Sequence, residues 1–253
     1  MLKNFLKAAK RLLQPKASSF DKYIRTPLPI QEDLLKYFSR NSRLVVFDIG
    51  SCEGEDSIRY AKLFPHATIY SFEPLENNYN KILSNIRKEQ CTSIQPYKLA
   101  LSDEKGVAQF YVSSGHPPHK PNTSQWNYGN KSSSLLKPGK IRQTHAWLEF
   151  KSTAIVATDT VFNFCKAKGL SAIDFIHLDV QGAELMVLKG AGDLIDHVKL
   201  IWLEIEAIQL YKGQPITNDI ESYMHDHVFV LVKDTAGDVS GDRLYANSKL
   251  IGS

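Results

Sequence analysis

Cysteine, net charge and long apolar runs are all scarce in this chain, and each shortage closes off a class of function. The three cysteines, Cys52, Cys91 and Cys165, stand far apart and form no pair at metal-binding spacing. Free thiols point to a reducing compartment and a cytoplasmic protein. A formal net charge of +4 is too small for a nucleic-acid-binding surface. No apolar run is long enough to cross a bilayer. What remains is an ordinary globular composition, 43% hydrophobic and 23% charged, able to bury a sizeable core.

The N-terminus stands apart. Leu2, Phe5, Leu6, Ala9, Leu12 and Leu13 fall at helical spacing, Lys3, Lys7, Lys10 and Arg11 fill the opposite face, and no acidic residue precedes Asp21. Apolar and basic residues alternate, which does not read as a signal peptide. Residues 1–20 are therefore expected to be a basic amphipathic helix followed by an Ala17-Ser18-Ser19 linker. Two readings of its apolar face stay open. It packs on its own domain or on a second subunit of a homodimer, or residues 1–16 lie on an anionic membrane surface.

From residue 21 to 253 short apolar runs alternate with helical patterns. Strands are expected at 44–49, 68–72, 94–101, 107–112, 173–178, 200–205, 228–233 and 244–251, and helices at 30–38, 54–64, 75–88, 159–168 and 185–189. This alternation predicts one α/β domain built on a doubly wound, mostly parallel sheet. Residues 113–140 interrupt it with a long stretch rich in Gly, Pro, Ser, Asn and His. There Trp126 and Tyr128 either stack on a ligand or anchor the loop to the core.

Chemistry concentrates at strand ends. Phe47-Asp48-Ile49-Gly50-Ser51-Cys52-Glu53-Gly54 joins a buried strand to a helix. Its two glycines allow a tight turn and a close backbone approach. The G-x-x-x-G spacing lacks the G-x-G-x-x-G of dinucleotide folds. A smaller nucleoside with a carboxylate tail suits this turn and its helix N-terminus better. Glu73 ends the next strand about twenty residues on, where an acidic side chain accepts from both ribose hydroxyls. Pro74 then suits the first turn of a helix. Ile173 to Leu178 is a third buried strand, closed by His177, Asp179, Gln181 and Glu184 around Gly182.

Together these features resemble the class I S-adenosylmethionine-dependent methyltransferases. The run from Ile173 to Ala191 narrows the resemblance to the FkbM family, as do Phe72-Glu73-Pro74 with Asn77, Leu99-Ala100-Leu101-Ser102-Asp103 and Ser132-Ser133-Ser134-Leu135. The resemblance covers roughly residues 43–206. It implies a Rossmann-like seven-stranded sheet with an antiparallel last strand. It also implies S-adenosylmethionine as cofactor, S-adenosylhomocysteine as product, and methyl transfer to a hydroxyl of a sugar, polysaccharide, glycolipid or other small molecule. Asp48, Gly50 and Gly54 are then expected at the methionine end of the cofactor, Glu73 at the ribose, Leu101 with Ser102 near the adenine, and Asp179 where methyl group meets acceptor; Ser51 and Pro74 are expected among the cofactor-binding residues as well. The chain departs from the family where Cys52 replaces Asn, His177 replaces Lys and Gln181 replaces Glu.

His177 and Asp179 lie two apart on one strand and so share a face. They are the expected catalytic residues: Asp179 orients the acceptor hydroxyl or the imidazole, and His177 is general base, unless the ring is merely hydrogen-bonded in the core. No metal ligand is assigned. Asp179 and Glu184, with Glu204 or Glu206, nevertheless carry the alternative of a hard divalent cation, and Glu184 equally suits a helix N-terminus. Two other readings of the same sheet are an NAD-dependent oxidoreductase and a non-catalytic nucleoside-binding subunit.

Overall fold

The computed structural model describes residues 18–120 and 126–251. The basic amphipathic stretch over residues 1–16 lies outside them. Ser18 and Ser19, read from the sequence as linker, instead start a helix, α1 (Ser19–Tyr23). The Ser18 hydroxyl accepts from the Asp21 N–H at 3.0 Å, and the Asp21 carboxylate accepts from the Ser18 N–H at 3.0 Å. This reciprocal cap satisfies two helix-end donors, and Phe20 buries its ring beneath it.

After α2 (Gln31–Tyr37) come β1 (Val45–Ile49), α3 (Glu55–Leu63), β2 (Thr68–Phe72), α4 (Glu76–Glu89) and β3 (Ile94–Tyr97). Next are β4 (Ala100–Leu101), β5 (Gly106–Gly115), α5 (Ile141–Thr144), β6 (Leu148–Asp159), α6 (Val161–Lys168), β7 (Ile173–Leu178) and α7 (Glu184–Lys189). The chain closes with β8 (Val198–Glu206), α8 (Thr217–Asp226), β9 (Phe229–Asp234) and β10 (Ser240–Asn247).

Seven strands form one sheet in the order β3-β2-β1-β7-β8-β10-β9. Neighbours from β3 to β8 are parallel, and β10 runs antiparallel between β8 and β9. This is the doubly wound, mostly parallel sheet that the alternation predicts, with the Rossmann-like order and antiparallel last strand that the family resemblance implies. The inner strands are apolar because helices cover both faces. On one face Phe47, Tyr70, Phe72 and Tyr97 pack around Phe164 of α6, with ring centroids 4.8–5.7 Å from it. On the other, Tyr60 of α3 meets Phe175 of β7 at 5.2 Å. Each such side chain contributes roughly 1.5–3 kcal/mol by leaving water, so these rings fix the strand ends firmly.

Three features depart from the sequence reading. The segment 94–101 is two strands: β3 stays in the main sheet, whereas β4 pairs parallel with β6 in a separate three-stranded sheet β4-β6-β5. β6 itself escapes the pattern because Lys151-Ser152-Thr153 are largely solvated and no apolar run marks it. α8 escapes because it buries only Ile220 and Met224. No helix among the described residues is long and apolar enough to cross a membrane.

α7 ends at Gly190. Gly190 keeps a right-handed φ of −65°. A Cβ there would lie 2.0 Å from the Ser102 carbonyl oxygen. The glycine admits the strand-three loop against the helix end. Gly190→Ala should therefore cost about 3 kcal/mol by overpacking, measurable as a lowered urea midpoint at unchanged slope.

Candidate functional site

The site forms where β1 and β7 part. Their register sets Asp48 beside His177 and Ile49 beside Leu178. The Asp179 N–H then donates to the Ile49 carbonyl at 3.0 Å. Gly50, at φ +89°, passes so close that a Cβ would stand 1.8 Å from the Asp179 carbonyl oxygen. No side chain fits, so the position demands glycine on both counts. The Gly50 and Ser51 N–H groups both donate to the Phe72 carbonyl at 3.0 Å. The loop is thereby drawn over β2, and the backbone continues into α3 with Gly54 as N-cap. Cys52 sits at φ +49°. That left-handed region tolerates Asn better than other side chains, so the departure from the family's expected Asn places a less suited residue here.

A cleft of ≈ 500 Å³, its open mouth included, lies along these strand ends. Gly50, Glu73, Asn130, Lys131, Asp179 and Gln181 make its polar part, and Pro74, Leu99, Leu101, Phe110 and Leu135 its apolar part. Glu73 is buried, and its Oε1 accepts from the Leu75 N–H at 2.8 Å. Burial pushes its carboxyl up to about 8, against the pull of the Leu75 N–H and the Asn78 side chain.

His177 sits behind the cleft wall, edge-on to Tyr60 at 5.7 Å. Its Nδ1 lies 3.3 Å from Asp48 Oδ1, at ion-pair distance but outside hydrogen-bond alignment. Asp48 Oδ2 accepts from the Ser57 hydroxyl. Burial opposes the charged ring, but the Asp48 carboxylate outweighs it and raises His177 to about 9. At neutral pH the ring is an imidazolium.

Asp179 borders the cleft, and its Oδ1 accepts from Gln181 Nε2 at 2.8 Å. The same amide group donates to Glu204 Oε2 at 2.6 Å, while Gln181 Oε1 accepts from the Tyr211 hydroxyl at 3.2 Å. Glu184 turns inward: its Oε1 accepts from the Val180 and Gly182 N–H groups at 3.0 and 3.2 Å. It closes the turn into α7, the second of the two roles expected for it. The Gln181 amide therefore stands between Asp179 and Glu204. Among the described residues no three His, Cys, Asp or Glu side chains are grouped to hold a metal ion.

Of the residues picked from sequence, Gly50, Glu73, Pro74, Leu101 and Asp179 line one cleft. Asp48, Ser51, Gly54, Ser102 and His177 support it from behind. Ser51 Oγ accepts from Ser71 Oγ at 2.7 Å and donates to the Phe72 carbonyl. The Ser102 N–H donates to the Asp159 carbonyl at 2.9 Å. The sequence reading missed Phe110, Asn130, Lys131, Ser133 and Leu135 as cleft residues. The serine run 132–134 was the available signal, since the turn beside it carries Asn130 and Lys131 into the cleft. Trp126 takes the anchoring role: it is buried against Phe20 and Tyr23, at centroid distances of 6.1 and 5.1 Å.

A model of the methyltransferase FkbM domain matches residues 48–231, from the Asp48 strand end into β9. The chain belongs to the FkbM methyltransferase family. It is 28% identical over 241 residues to the 2-O-methyltransferase NoeI of Sinorhizobium fredii, covering 94% of both chains. It is 23% identical over 199 residues to the methyltransferase sdnD of Sordaria araneosa, covering 76% of this chain and 75% of that one. Among solved structures, the methyltransferase FkbM from Methylobacillus flagellatus superposes with a TM-score of 0.51 at 15% identity. That match covers 90% of this chain and 50% of the other, and shows the fold.

The protein is thus an S-adenosylmethionine-dependent methyltransferase, and the oxidoreductase alternative falls away. The residues present fit the cofactor. Gly50 leaves bare backbone where a Cβ would intrude, and Glu73 offers a buried acceptor for ribose hydroxyls. Because its carboxyl titrates near 8, Glu73 is largely protonated in the free protein at pH 7. A carboxyl raised by burial makes its stabilising contribution below its unfolded value of about 4.5 and loses it as pH rises through 8. Accepting two hydroxyls favours the carboxylate. S-adenosylhomocysteine affinity should accordingly rise with pH up to about 8 by isothermal titration. Glu73→Gln should flatten that rise and weaken binding about tenfold to a hundredfold.

Proposed function

We propose that the chain transfers a methyl group to a hydroxyl oxygen of a carbohydrate, as a free sugar, polysaccharide or glycolipid. The observation that carries this is the end-to-end similarity to NoeI, named as a 2-O-methyltransferase. The wall beside Asp179 supports it. Gln181, Glu204 and Tyr211 form a continuous polar network there, with donors and acceptors close together. Such a surface suits an acceptor that presents several hydroxyls.

Bound, the cofactor supplies an electrophilic methyl group on a sulfonium. The chain's part is to align the acceptor oxygen and dispose of its proton. Asp179, at the cleft edge and held by the Gln181 amide, orients the acceptor hydroxyl. His177, two residues back and paired with Asp48, is the base; its ring stands behind the cleft wall, so the acceptor's proton reaches it through one intervening water. The ring's neutral form is the minor one at pH 7, so the rate is expected to climb with pH until about 9.

Incubation with methyl-labelled S-adenosylmethionine and a panel of sugar, polysaccharide and glycolipid acceptors should give a methyl ether at a hydroxyl, resolved by mass spectrometry. Label on nitrogen or carbon alone would overturn the O-methyl reading. Absence of any transfer by a protein that binds the cofactor would favour a binding subunit instead. In the same assay His177→Gln should lower kcat about a hundredfold and remove the rise toward pH 9. A variant that keeps both rate and pH profile assigns His177 to structure alone.

A further inference from the structure

Asn130 and Lys131 border the cleft beside Gly50, Glu73 and Asp179, yet no strand-end motif accounts for them. They lie on a single 3-10 turn, Gly129–Ser132. The chain on either side is tied to the body of the protein. Trp126 is buried against α1, and Ser134 Oγ donates to the Gln181 carbonyl at 2.8 Å.

Lys131 is the one cation lining the cleft among the described residues. Its ammonium pairs with Glu55, in the first turn of α3, and lies 4.6 Å from the centre of the Trp126 ring. The Glu55 carboxylate is 5% exposed, and its Oε2 accepts from the Glu53 N–H at 3.0 Å. A carboxylate thus already stands at a helix N-terminus facing a lysine, a place that favours an anion. Asn130 is 8% exposed. Its Nδ2 donates to Asn78 Oδ1 at 2.8 Å and to Glu53 Oε1 at 3.2 Å. Its Oδ1 is buried with no hydrogen-bond partner among the described residues. Buried acceptors are normally satisfied, so an orphan at a ligand cleft calls for a donor from the ligand. Two successive residues therefore offer a cation and an unpaired acceptor. That pair is complementary to the carboxylate and ammonium of an α-amino acid.

We propose that Asn130 and Lys131 read the amino-acid end of the cofactor, Lys131 pairing with its carboxylate and Asn130 Oδ1 accepting from its α-ammonium. The assignment rests on the S-adenosylmethionine reading of the cleft. Glu55 holds Lys131 in position when the tail is absent and shares it when the tail is bound. Recognition of the tail then comes from outside the strand-one loop, from a segment that reaches the site across the second sheet.

Calorimetric titration with S-adenosylhomocysteine, its decarboxylated analogue and its deaminated analogue tests this without turnover. Lys131→Met should weaken S-adenosylhomocysteine about tenfold to a hundredfold and leave the decarboxylated analogue within about threefold of the wild type. Asn130→Ala should do the same with respect to the deaminated analogue. Equal losses for all three ligands, or no loss, overturn the assignment. If lone Glu55 unfolds the single variant, Glu55→Gln with Lys131→Met removes both charges and is read in the same way. Wild-type protein that binds no S-adenosylhomocysteine overturns the cofactor reading itself. Wild-type binding with an undiminished preference in Lys131→Met overturns only the role given to Lys131.

Discussion

Everything at this site depends on one close backbone contact, Gly50 against the Asp179 carbonyl. β1 and β7 are adjacent parallel strands whose chains leave in opposite senses, β1 toward β2 and β7 toward β8. Such a point in an open sheet necessarily opens a crevice. The contact decides how narrow that crevice is at its base. A side chain at position 50 would force the strand ends apart, and Asp179, Glu73 and the turn at 129–132 would no longer face one volume. The aromatic packing around Phe164 serves the same end by holding β1, β2 and β3 in fixed register below the cleft.

The charged groups around the crevice are arranged in separate compensated sets. Asp48 is occupied by His177 and Ser57, Glu55 by Lys131 and the Glu53 N–H, and Glu184 by two backbone N–H groups. Asp179 is held more lightly, by one side-chain amide that also serves Glu204. Fixed partners cost little reorganisation when a ligand enters. The groups left with spare hydrogen-bonding capacity, Glu73, Asp179 and Asn130, are those that line the cleft.

How far the sequence could be read followed from which signals are local. Strands β1, β2, β7 and β8 were legible because two-sided burial writes a continuous apolar run. The ends of those strands were legible because Asp48, Glu73 and Asp179 are abrupt polar stops. β6 was not, since a solvated strand of alternating polar and β-branched residues carries little periodic signal. The packing role of Gly190 was not legible because its neighbour, Ser102, is remote in sequence. Asn130 and Lys131 were missed for a similar reason. Nothing in their own segment says that it crosses back over α3; that path is set by Trp126 packing on α1 and by Ser134 reaching Gln181. The same limit applied to His177, whose partner Asp48 lies on the adjacent strand, 129 positions earlier in the chain.

Burial and mutual proximity push the carboxyls of Glu184, Glu204 and Glu206 upward, Glu206 to about 9. A carboxyl that keeps its proton at neutral pH is a hydroxyl donor as well as an acceptor. With Glu206 able to donate, this wall is less anionic than a count of its carboxyls suggests and offers hydrogen bonds in both directions. Molecules approaching it are sorted less by their charge than by the spacing of their polar atoms.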